Sequence, residues 1–213
     1  MSENLTEEQQ VEAIKNWWKE NGISVVLGLL IGFGALFGWN YWKDLRDDNA
    51  AQASVVYQQL LSDIQAKKLD DAKLNSQKLL TEFEGTPYAT LAAFSLARMA
   101  VEAGDMNTAK AQLQWVLDNS RQEQFLHTAR LRLARVLISN NEVDVAAAVI
   151  SNIKVDAYAS PYAELRGDIA LARGDRDTAR NEYTIALESA SDDNQQRSAI
   201  QGKLDDVAAV ESK

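Results

Sequence analysis

The chain has 213 residues, 46% hydrophobic and 25% charged, with two prolines, ten glycines and no cysteine. That length holds one ordinary folded body plus a short extra segment; few helix breakers favour helices, and the missing cysteines exclude disulfides, thiol catalysis and thiolate metal sites. The net charge of −9 comes without a basic cluster, which argues against a phosphate-backbone binder, so no nucleic-acid partner is expected.

Residues 1–20 are acidic, with five Glu against two Lys, and form a short separate segment. Residues 21–42 carry no charge, and Ile23 to Trp39 is apolar apart from Ser24 and the glycines. As a helix this stretch spans about 33 Å, enough for a hydrocarbon core of about 30 Å. Trp17 and Trp18 on one side, and Trp39, Tyr41 and Trp42 on the other, suit the two headgroup layers. A signal peptide would need a basic start and a small-residue cleavage site, and a soluble core helix would show a polar stripe. The reading is therefore a transmembrane helix over 21–42. Lys15 and Lys19 balance Lys43 and Arg46, so charge leaves its orientation open. At 100° per residue Ser24, Gly28, Gly32 and Ala35 share one strip with Gly34 and Gly38 beside it, a candidate packing face for a second membrane helix.

Residues 43–213 form the expected main domain. Ala72, Ala109, Ala146 and Ala179 recur at spacings of 37, 37 and 33, the range of paired-helix repeats. Twelve residues before them stand Leu60, Ala97, Ala134 and Gly167, mostly small, as close antiparallel helix crossings require. Lys67, Gly104, Asn141 and Gly174 mark the turn within each unit; glycine and asparagine suit left-handed geometry and Lys67 matches less well. Ser76, Leu113, Ile150 and Tyr183, then Leu79, Val116, Ile153 and Ala186, continue one inward face along the second helices. Thr86-Pro87 and Ser160-Pro161 read as helix starts with a capping hydroxyl, and Asp105 and Asp175 favour the helices after the turns. An amphipathic helix from Gln195 to Val210 is expected to cap the open end. The fold class is all-α: a transmembrane helix, then a solenoid of about four helix pairs with a C-terminal capping helix.

This pattern resembles the tetratricopeptide repeat over roughly residues 50 to 190, although the first helices lack its usual Trp and Tyr. The whole chain resembles the YfgM family through Val11-Glu12-Ala13, Glu20-Asn21-Gly22, Gly34-Ala35-Leu36, Gly38-Trp39, Tyr41-Trp42, Leu131-Arg132-Leu133-Ala134-Arg135-Val136 and Leu165-Arg166-Gly167. That resemblance implies a bacterial inner-membrane protein with its amino terminus in the cytoplasm and its repeats in the periplasm. It implies an ancillary role at the SecYEG translocon, association with a PpiD-like membrane-anchored chaperone, and transfer of unfolded secreted polypeptides toward periplasmic chaperones. The alternative it implies is a stress-response regulator acting through the cytoplasmic segment on a response regulator.

In such repeats the first helices line the concave surface. Projecting one residue set inward selects Tyr57, Leu61, Phe94, Arg98, Leu131, Arg135, Glu164 and Asp168 as a candidate partner-binding surface, together with Ile64, Val101, Ile138 and Leu171. Such a mixture of apolar side chains and arginines suits an extended peptide; equally, apolar residues at helical spacing serve as core. His127 stands alone, without a second histidine for a metal site, and reads as structural; Asp70-Asp71 and Asp192-Asp193 read as solvated caps. No nucleophile elbow, phosphate loop, dinucleotide fingerprint or zinc motif is present, so neither an enzyme nor a cofactor is expected.

Overall fold

A computed structural model describes residues 7–151, 153 and 156–209. The first six residues of the amino-terminal segment, and Val210 of the expected cap, lie outside them. Among the described residues every regular element is helical: α1 (Glu7–Gln65), α2 (Leu69–Glu82), α3 (Pro87–Glu102), α4 (Met106–Asn119), α5 (Glu123–Ser139), α6 (Val143–Val149), a 3-10 turn (Asp156–Tyr158), α7 (Ala159–Ala172), α8 (Arg176–Glu188) and α9 (Asn194–Ala209). The chain divides into two compact units between Ala51 and Gln52.

In the first unit α1 is the one described helix long and apolar enough to cross a membrane. Leu27, Ile31, Phe33 and Phe37 project outward with the other large apolar side chains, as lipid contact requires. The guanidinium of Arg46 lies 4.7 Å from the ring of Trp42, a pairing suited to the polar edge of a bilayer. A methyl group built on Gly28, Gly32, Gly34 or Gly38 would meet nothing within 4 Å, so this strip is open.

In the second unit the last turns of α1 share a buried cluster with α2 and α3, α3 pairs with α4, α5 with α6 and α7 with α8, and α9 packs on α8. The spacing explains the pairing. Leu60, Ala97 and Ala134, and Ala72, Ala109, Ala146 and Ala179, are all buried where the two helices of each unit cross. The turns agree as well: Lys67, Gly104, Asn141 and Gly174 all have positive φ, at 57°, 76°, 62° and 80°. Lys67 thus occupies the same left-handed turn as the glycines, because the hydrogen bond from the Lys68 amide to the Asp63 carbonyl closes the helix end.

Opposing residue sizes compensate. Gly167 faces Tyr183, and a Cβ on Gly167 would lie 2.4 Å from the Tyr183 ring. The same pair of repeat positions holds Leu60 with Ser76, Ala97 with Leu113, and Ala134 with Ile150, all buried. A larger group on one helix accompanies a smaller one on the other, as close packing demands.

Three local expectations are corrected. The Thr86 hydroxyl does not cap α3; it donates back to the Phe83 carbonyl at 2.8 Å, leaving Pro87 to open the helix. Ser160 lies inside α7 and donates to the Ala186 carbonyl at 2.8 Å, tying α7 to the end of α8. The second helix of the third repeat, α6, ends at Val149, so Ile153 stands outside it and only half-buried. Val149 and Ile150 are β-branched, and the Ser151 amide and hydroxyl both bond the Ala148 carbonyl, offering the backbone an alternative to another helical turn. Asp105 and Asp175 do more than complement a dipole. Each carboxylate accepts from the amide three residues on, Thr108 or Thr178, at 3.0 Å.

Candidate protein-interaction face

The first helices of the second unit present three rows of equivalent positions. Tyr57, Phe94, Leu131 and Glu164 form one, Leu61, Arg98, Arg135 and Asp168 the next, and Ile64, Val101, Ile138 and Leu171 the third. The inward projection from sequence is corrected for the first row. Phe94 and Leu131 are buried in the main core, and Phe94 meets Phe125 edge-on at 6.1 Å. Tyr57 packs against Tyr88 at 5.7 Å and Ile64 joins the core of the first pair. Burial pushes the Tyr57 hydroxyl pKa up, against a lowering hydrogen bond to Ser95. These rings set the helix spacing and are largely shielded from a ligand.

Apart from Ile64, the other two rows keep accessible members. Leu61, Val101 and Leu171 are 40%, 41% and 37% exposed. Arg98 is exposed and pairs with Glu102 one turn along its own helix at 2.8 Å. A groove of about 370 Å³ runs between α5 and α7, lined by Arg135, Ile138, Ser139, Asp168, Leu171 and Ala172.

Its acidic side is held by a lysine that the inward projection did not include. Lys203 of α9 reaches Glu164 at 2.7 Å and the two oxygens of Asp168 at 2.7 and 2.8 Å. The Tyr183 hydroxyl donates to Asp168 at 2.9 Å; burial first, then the Asp168 charge, raise the tyrosine pKa well above its ordinary value. Arg135 approaches Glu164 only to 3.8 Å. A projection confined to four repeat units stops before the cap, although α9 stands where the next first helix would. Arg132 was also missed, being one residue off the projected row. Its guanidinium lies 4.8 Å from the centre of the Phe94 ring, and burial followed by repulsion from Arg135 lowers its pKa.

His127 is a satisfied core residue. Its Nδ1 is 2.8 Å from the Tyr162 hydroxyl and its ring stacks on Tyr158 at 4.3 Å, joining α5 to the start of α7. A second cavity, about 670 Å³, opens beside the shortened α6, between Ile150, Tyr162, Ile169 and Ile185, with Arg166 paired to Glu182 at its edge. Continuing α6 through Ile153 hid this space from the sequence. Asp193 caps α9, accepting from the Gln195 amide at 2.9 Å.

Helix pairs crossing on small residues, left-handed turns at one repeat position and an accessible first-helix face define a repeat protein of the tetratricopeptide class. The family model described as a tetratricopeptide repeat-like domain matches residues 15–209. The chain is similar to proteins named ancillary SecYEG translocon subunit from three bacteria. Identity is 32% to that of Haemophilus influenzae over 92% of this chain and 96% of the relative, and 34% to that of Escherichia coli over 86% and 88%. It is 35% to that of Aggregatibacter actinomycetemcomitans over 89% and 93%. The chain belongs to this tetratricopeptide-repeat-like family of ancillary translocon subunits.

Proposed function

We propose that the protein is a membrane-anchored interaction scaffold at the SecYEG translocon, with residues 1–20 in the cytoplasm, 21–42 across the membrane and the repeats in the periplasm. The observation that carries this reading is the combination, over nearly the whole length of similarly named relatives, of one exposed apolar helix with an accessible repeat face. In this role the repeats contact a PpiD-like anchored chaperone and help pass unfolded secreted polypeptides onward, by side-chain burial and arginine hydrogen bonds rather than by catalysis. The open strip around Gly28 and Gly32 supports docking of a second membrane helix.

The test is purification of the full chain from detergent-solubilised membranes with probes for translocon and chaperone components. Recovery of SecYEG is expected, and its absence refutes the proposal. Deleting residues 3 to 16 is expected to leave that recovery intact, whereas a regulator acting through the cytoplasmic segment would lose its signal.

A further inference from the structure

We propose that the first-helix face of the repeats takes an acidic, amphipathic segment of a partner protein, its carboxylates against Arg98, Arg132 and Arg135 and its apolar side chains against Val101, Ile138 and Leu171. This deepens, and rests on, the reading of the chain as an interaction scaffold. The chain as a whole is acidic, at −9, yet this face gathers three arginines on two adjacent helices. Their donors are under-used. Arg98 gives its Nε–H to Glu102 and its side chain is 76% exposed, leaving the outer nitrogens to face solvent.

Arg132 stacks on Phe94, and among the described residues no carboxylate pairs with it. The carboxylate nearest Arg135 is 3.8 Å away and is held more closely by Lys203. Two guanidinium groups that repel each other, on a face whose own acids are already engaged by a lysine, are better satisfied by incoming carboxylates. Beside them the groove between α5 and α7 supplies an apolar wall of Ile138, Leu171 and Ala172. A segment with acidic residues on one side and apolar residues on the other matches both features, whereas a basic segment meets like charge.

The experiment uses the full chain in detergent micelles and fluorescence anisotropy with three labelled synthetic peptides, alternating leucine with glutamate, glutamine or lysine. The glutamate peptide is expected to bind roughly tenfold more tightly than the glutamine one, the scale of two or three exposed ion pairs, with the lysine peptide weakest. Added salt narrows the difference. Arg98→Gln with Arg135→Gln is expected to reduce the preference to about twofold, with helical content unchanged by circular dichroism. Equal binding of the glutamate and glutamine peptides to the unmodified protein, or binding of neither, overturns the inference without any variant. SecYEG recovery from the same preparation separates the two levels: recovery without a glutamate preference overturns this inference alone. Absence of recovery overturns the scaffold reading beneath it.

Discussion

Replacing Gly167 by alanine sets a methyl carbon 2.4 Å from Cε1 and 2.5 Å from Cδ1 of Tyr183, a fully buried ring whose hydroxyl is tied to Asp168. The ring cannot swing aside without breaking that bond, so α7 and α8 must separate. Overpacking of this kind costs about 1–3 kcal/mol, and the better helix propensity of alanine returns about 1 kcal/mol. A net loss of up to about 2 kcal/mol follows, lowering the melting temperature by up to roughly 8 °C for a domain of this size. Tyr183→Leu alone loses ring packing and a hydrogen bond, about 2–3 kcal/mol. The double variant recreates the alanine–leucine combination of Ala97 and Leu113, so its loss is smaller than the two single losses added, by about 1 kcal/mol or more. Thermal unfolding followed by circular dichroism on the full chain in detergent measures all four proteins. Additive losses, within about 0.5 kcal/mol, would refute size compensation between the paired helices.

The turn positions give opposite signs for glycine exchange. Gly174→Ala forces a side chain into left-handed geometry and is expected to cost about 1 kcal/mol, whereas Lys67→Gly relieves that geometry and gains up to about 0.5 kcal/mol, both read from chemical denaturation. Lys203→Met leaves Glu164 and Asp168 without their closest cation and is expected to lower stability by about 1–2 kcal/mol and to speed amide exchange in α9. Hydrogen bonds from Thr108 and Thr178 hold the Asp105 and Asp175 carboxyls below their ordinary pKa. Their stabilisation is therefore present above the unfolded value near 3.8 and is lost as pH falls through the lower folded value. The fall in melting temperature on acidification is expected to be shallower in Asp105→Asn with Asp175→Asn.

Much of this protein is determined locally. An uncharged run long enough to cross a bilayer declares itself, because lipid leaves no alternative to a hydrogen-bonded apolar helix. The repeat is equally legible: Ala72, Ala109, Ala146 and Ala179 must be small wherever two backbones cross closely, and that demand returns with every unit. Chain neighbours also settle the turns and the Asp105 and Asp175 caps, whose partners lie three residues away. Tertiary structure decided which side chains of the first helices are available. Phe94 and Tyr57 share the periodicity of the accessible rows, but rings from the adjacent helices, Phe125 and Tyr88, cover them. Helical periodicity gives a direction around one axis and contains nothing about the neighbour that stands there. For the same reason the clustering of Glu164 and Asp168 with Lys203, 39 and 35 residues further along the chain, emerges only when α9 packs beside α7 and α8.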